Sequence, residues 1–120
     1  LDKADTGPAS CSGAGITIRA PQLPLLDGAL ALAQRGQWSG GMKRNQRHVE
    51  STLGVNGRLT IDPSLPSSTV GLLYESETSG GLLFSVSPEH AGTVLDRFKA
   101  KGEPCWEIGE VTAEPGIRVT

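Results

Sequence analysis

Only two cysteines, Cys11 and Cys105, occur in 120 residues. That number and spacing make neither a disulfide framework nor a zinc site, and a single bridge is allowed but not implied. Two reduced thiols in a cytosolic protein is the plainer reading. Basic excess is lacking too. Lys and Arg total 11 against 13 Asp and Glu, a formal charge of −2. Nothing here suggests nucleic acid, and no cationic amphipathic helix suggests a membrane surface. No apolar run approaches the roughly 20 residues needed to span a bilayer. Residues 1–20 lack the basic start and apolar block of a signal peptide. The chain opens on Leu1 rather than methionine, so a fragment of something longer is expected over a processed form. No repeat of fixed period and no low-complexity block is visible.

What is present suits one domain with one hydrophobic core. Sixteen glycines and eight prolines predict short elements and many turns. Residues 1–14 have no apolar period and read as a flexible arm; residues 15–120 read as a single domain. "GITIRA" (15–20) and "GRLTID" (57–62) alternate apolar and polar residues, as half-buried strands do. "PLLDGALALAQRG" (24–36) predicts a helix, with Pro24 in its first turn and Gly36 as its stop. Residues 67–76 predict a second helix, weakened by Gly71 at about 1 kcal/mol against alanine.

"GLLFSVS" (81–87) is a nearly continuous apolar run, which predicts a central strand covered on both faces. The helix after it has the strongest signature. Ser87 stands at the N-cap, Pro88 at the first position and Glu89 in the first turn. Ala91, Val94, Leu95 and Phe98 form its stripe, and Gly102 ends it. "CWEIGEVT" (105–112) and "GIRVT" (116–120) predict two strands joined by a turn. The order is β-α-loop-β-α-β-α-β-β. This implies an α+β fold in which helices cover a mixed sheet.

Two glycine-containing stretches hold the candidate chemistry. In "TSGG" (78–81), glycines let backbone N–H groups approach a ligand, and Thr78 and Ser79 carry hydroxyls. No lysine follows, and the stretch leads into an expected strand rather than a helix, unlike a phosphate cradle. A plain turn and a ligand-facing loop both stay open, with local chemistry favouring the turn. In "GGMKRN" (40–45), Gly40 and Gly41 precede Lys43, Arg44 and Asn45, with Arg47 and His48 behind. The set suits an anion or a nucleotide. A solvated basic turn before a short helix is the plainer alternative.

No catalytic constellation is complete. Cys11 has no histidine or lysine within three residues to lower its pKa. Cys105, beside Trp106, reads as a small buried hydrophobe. His48 and His90 lack a second ligand at metal spacing and read as surface residues. Glu75 and Glu77 make only a weak cation signal. Trp38 is placed to stack on a base or, more simply, to pack.

Taken together, "GGMKRN" and the later "SETSGGLLFSV" (76–86) resemble the C-terminal domain of selenophosphate synthetase (selenide, water dikinase), within the aminoimidazole ribonucleotide (AIR) synthetase-like C-terminal domain superfamily. That family reads Gly-Gly-Thr-x-x-Asn at the first place and Asp-Pro-Gln-Thr-Ser-Gly-Gly-Leu-Leu at the second. "LPLLDGALALAQRG", "CWEIGEVT" and "GIRV" are similar as well, so the likeness covers roughly residues 15–120. Met42 replaces the family threonine, and Glu75, Ser76 and Glu77 replace Asp, Pro and Gln. Thr78 and Ser79 before Gly80 disfavour other members of the superfamily.

The resemblance implies an enzyme that makes selenophosphate from selenide with ATP and Mg²⁺. The family's nucleophilic Cys or selenocysteine, the lysine three residues on and the metal-binding aspartates belong to an N-terminal half that is not in this chain. Cys11 has Ala14 at that offset and does not match. The resemblance thus implies no catalytic or metal-binding residue here, no cofactor held by the fragment alone, and a partnership with the missing N-terminal catalytic domain. A cytoplasmic homodimer is implied for the whole enzyme, with ATP in the cleft between domains. Gly40, Gly41, Arg44, Asn45, Thr78, Ser79, Gly80 and Gly81 are the residues expected to border that cleft. The alternative is a non-enzymatic ligand-binding or assembly module of the same fold.

Overall fold

The computed structural model describes residues 13–77 and 80–120. The expected arm (1–14) therefore lies mostly outside the described residues, as do Cys11, Thr78 and Ser79. Four short strands form the sheet: β1 (Gly15–Ile18), β2 (Leu59–Ile61), β3 (Gly109–Thr112) and β4 (Gly116–Val119). All four lie inside segments whose sequence predicts strands. The helices are α1 (Ala29–Gln34), α2 (Met42–Val49), α3 (Ser67–Leu72) and α4 (Pro88–Lys101). A 3₁₀ turn covers Ala20–Gln22, and α2 runs on into a π-helical turn at Glu50–Gly54.

The sheet order is β2-β4-β1-β3. β4 runs parallel to both β1 and β2, and β3 is antiparallel to β1. The sheet is therefore mixed, and the α+β expectation is borne out. Register sorts the side chains by face, because successive residues alternate. Leu59, Ile117, Ile16 and Val111 lie in one row across the sheet, with Ile61, Val119 and Ile18 in another on the same face. Thr60, Arg118, Thr17 and Glu110 form a polar row on the opposite face.

The β3–β4 turn brings Gly116 against the next segment. Its φ is +128°, and a Cβ there would meet the Arg58 carbonyl oxygen at 2.7 Å. Only glycine lets β4 start this close to β2.

The buried apolar residues are few: Ala20, Ala33, Met42, Tyr74 and Val119. They sit where α1, α2 and α3 gather and where the sheet meets the 3₁₀ turn. α1 packs closely on α3, and α2 touches α3. α4 takes part in none of these extensive contacts. Phe98 on its stripe meets Phe84, with ring centroids 6.2 Å apart and nearly parallel planes. No helix among the described residues is long and apolar enough to cross a membrane.

Four elements differ from expectation. The stretch expected as a loop before β2 holds α2 and its π-helical turn, and the helix expected over 67–76 ends at Leu72. Residues 81–87 are not a covered central strand: they have no regular structure, and all are exposed. A strand needs a neighbour, and both flanks of β1 and of β4 are already paired. The helix expected over 24–36 is confined to Ala29–Gln34, because Gly28 adopts φ +82° and a helix starts only beyond it. Gly36, at φ +72°, does stop it. Ser87 does precede α4, but its hydroxyl contacts the His90 ring nitrogen Nδ1 at 2.8 Å rather than a backbone amide. Cys105 is half-buried rather than buried, as a free thiol.

Candidate functional site

The first glycine motif is anchored through its neighbour Trp38. The indole lies against the backbone of α3 at Gly71, where an added Cβ would stand 2.5 to 3.1 Å from three indole carbons. The helix-weakening glycine is thus the seat of an aromatic ring. This settles the two readings of Trp38 in favour of packing.

From there the chain is stitched to residues 74–76. The Ser39 amide donates to Glu75 Oε1 at 2.9 Å. The Asn45 side-chain amide donates to the Tyr74 carbonyl at 2.9 Å and reaches Ser76 Oγ at 3.1 Å. Gly41 faces Ser76 Oγ so closely that a Cβ would not fit. These contacts bring Gly40, Gly41 and Asn45 next to the strip that leads into the second glycine motif. Gly80 folds back on Glu77, its amide donating to the Glu77 carbonyl at 3.3 Å. Gly80 and Gly81 are exposed.

Three of these contacts use residues that depart from the family pattern. Glu75 and Ser76 stand at the family's Asp and Pro, and both accept hydrogen bonds that tie the loops together. Of the residues that do the tying, Trp38 reads in the sequence as stacking or packing and Ser76 as a departure from the family pattern, while Ser39 carries no signal of its own. Gly71, unexplained inside an amphipathic helix, is a further clue.

The cations are arranged differently. Arg44 is exposed on the first turn of α2 and pairs with no carboxylate among the described residues. Lys43 and Arg47 are also exposed on this helix. The first turn of α2 holds no acidic residue, and Gly41 supplies no side-chain cap. An anion is the favoured neighbour for such a helix start. Asn45 spends its nitrogen on the cross-loop bonds and keeps Oδ1 for another partner.

Two ionisable groups in the site are shifted. Ser39, hydrogen-bonding through its side chain and its backbone, holds the Glu75 carboxyl below its ordinary value of 4.5. Burial, then the Glu50 carboxylate, pushes the Tyr74 phenol above 10.0. The Tyr74 hydroxyl is buried and has no hydrogen-bond partner among the described residues.

No group of three or more His, Cys, Asp or Glu among the described residues is placed to hold a metal. Backbone amides and the Arg44 guanidinium do fit phosphate oxygens.

Comparison with known proteins agrees with the motifs. Residues 49–120 match the family described as AIR synthase related protein, C-terminal domain. The selenide, water dikinase of Myxococcus xanthus is 35% identical over 104 residues, which is 86% of this chain and 28% of that protein. The enzyme of the same name from Citrifermentans bemidjiense is 34% identical over 102 residues, covering 85% and 27%. That from Clostridioides difficile is 32% identical over 94 residues, covering 78% and 25%. The chain spans about a quarter of the length of these curated relatives. The resemblance carried by "GGMKRN" and "SETSGGLLFSV" is borne out by these matches.

Proposed function

Because this chain belongs to the AIR synthase related protein C-terminal domain family, we propose that it forms one wall of the ATP cleft in a selenophosphate synthetase-like enzyme. The observation that carries this reading is the stitching of the first glycine loop to residues 74–76, with Asn45 reaching across 29 positions to Tyr74. That tie holds Gly40 and Gly41, with Arg44 beside them, against the strip that leads into the second glycine motif. Phosphoryl transfer asks mainly for positioning and electrostatic stabilisation, and these groups supply both.

In this reading Arg44 meets the phosphates by charge-assisted hydrogen bonds. The amides of Gly40 and Gly41 complete the near side, Asn45 Oδ1 accepts from a nucleotide hydroxyl or amino group, and Thr78, Ser79, Gly80 and Gly81 line the far side. Mg²⁺, the nucleophile and its lysine belong to the catalytic half of the enzyme, which this chain joins. The chain alone catalyses nothing and holds ATP weakly or not at all. The joined enzyme is a cytoplasmic homodimer that takes selenide as substrate.

A hydrogen bond to a charged group contributes about 1.5–3 kcal/mol, or roughly 10- to 100-fold. In the joined enzyme, Arg44→Ala should lower kcat/KM for ATP by that factor with the circular-dichroism spectrum unchanged. Unaltered kinetics would return "GGMKRN" to the status of a turn. The second reading, a ligand-binding or assembly module, draws on Glu75 and Ser76, which turn family positions into structural ties. A joined enzyme that folds yet never consumes ATP would favour it.

A further inference from the structure

The polar face of the sheet carries a hollow of about 150 Å³. One water needs only about 10–15 Å³, so the space takes a ligand of several atoms. Register explains which side chains reach it, because residues two apart on a strand share a face. The Ile117 amide donates to the Arg58 carbonyl at 2.7 Å, which extends the β2–β4 ladder back to Arg58. Arg58 and Thr60 therefore stand side by side. Arg118 is the cross-strand neighbour of Thr60, and Thr17 flanks Arg118 on its other side. All four line the hollow. Gly57 and Gly116 bring bare backbone to its wall, which leaves the room.

Cations outnumber carboxylates here. The Arg58 side chain makes no hydrogen bond or ion pair among the described residues, and neither do the Thr17 and Thr60 hydroxyls. Arg118 meets only Glu114, at 3.4 Å, and both side chains are exposed, so that pair is weak. Glu110, on the same face, is engaged by Arg19. Two guanidinium groups, one of them unspent, and two free hydroxyls thus gather around one hollow in a chain whose formal charge is −2.

Guanidinium and hydroxyl groups donate to oxyanions, and arginine meets phosphate through paired, parallel hydrogen bonds. Two arginines can engage separate oxygens of a phosphate at once, whereas a carboxylate has only two oxygens to share between them. We propose that the polar face of the sheet binds a phosphate group, free or esterified, between Arg58 and Arg118, with the Thr60 hydroxyl beside it. Glu114 is the carboxylate that the phosphate displaces from Arg118. The site shares no residue with the two glycine motifs and stands independently of the nucleotide reading.

Amide NMR of the 120-residue chain, titrated with inorganic phosphate at constant ionic strength and without metal, reads the site. Saturable shifts should appear at Thr17, Thr60 and Arg118. Arg58→Gln should weaken binding about tenfold or more, the loss of one charge-assisted hydrogen bond. Glu114→Gln frees Arg118 and should tighten binding roughly two- to fivefold, a gain that damage to the fold would not produce. Arg97→Gln removes an exposed cation of α4 and should change nothing. Glycerol 2-phosphate distinguishes the source: a tighter affinity than that of the ion assigns an esterified phosphate, and an equal or weaker one assigns the free ion. Shifts that stay linear in phosphate concentration would overturn the proposal, as would shifts confined to residues 40–45. So would acetate binding as tightly as phosphate, or an affinity that Arg97→Gln lowers as much as Arg58→Gln does.

Discussion

Gly71→Ala decides, by the sign of its effect, whether Trp38 anchors the first glycine loop. In an exposed helix the change would add about 1 kcal/mol of stability, because alanine is the better helix former. Here the new methyl would arrive 2.5 Å from one indole carbon and 2.8 Å from a second. Real carbon contacts need about 3.5 Å or more. Either the ring or the helix must therefore move, and such overpacking costs about 1–3 kcal/mol. The net expectation is a loss of up to about 2 kcal/mol, read from urea unfolding followed by tryptophan fluorescence. Trp38→Leu removes the obstructing ring atoms. In that background Gly71→Ala should become stabilising, with a coupling of about 1–3 kcal/mol between the two sites. If Gly71→Ala stabilises both backgrounds equally, Trp38 does not sit on α3 and the anchored loop is refuted.

Asn45→Ala removes two hydrogen bonds from a half-buried position and should cost about 1–2 kcal/mol in urea unfolding; an unchanged midpoint would mean that the loops are not tied. The Glu75 carboxyl should titrate below 4.5 when followed by NMR, since Ser39 hydrogen-bonds its charged form. A depressed folded pKa contributes stability above the ordinary glutamate range, lost as pH falls through the folded value. Glu75→Gln should therefore flatten the loss of stability in acid, and a carboxyl titrating at or above 4.5 would contradict the Ser39 contact.

The parts of the fold legible in sequence were those with a local phase. Ile16 and Ile18 alternate with polar neighbours, and their strand formed where the pattern placed it. α4 had a cap position, a stripe and a stopping glycine, and its bounds follow them from Pro88 to Gly102. Residues 81–87 carry no phase, because a continuous apolar run fits a strand, a helix or an interface equally well. Whether it pairs depends on a neighbour that no local pattern encodes. The onset of α1 was missed because Gly28 takes a left-handed conformation that composition alone does not announce. In the candidate site, the two motifs were visible and their junction was not. Asn45 read as a ligand group, yet its nitrogen serves the tie to Tyr74 and Ser76, a product of tertiary placement.

The central claim, that this chain completes an ATP cleft, has a direct test. The Myxococcus xanthus selenide, water dikinase can be built with this chain in place of its matching 104-residue segment. Phosphorus NMR of the folded hybrid with ATP, Mg²⁺ and selenide then reads the reaction. The account predicts selenide-dependent ATP consumption and a selenophosphate signal, both reduced by Arg44→Ala. A folded hybrid that leaves ATP intact would contradict it.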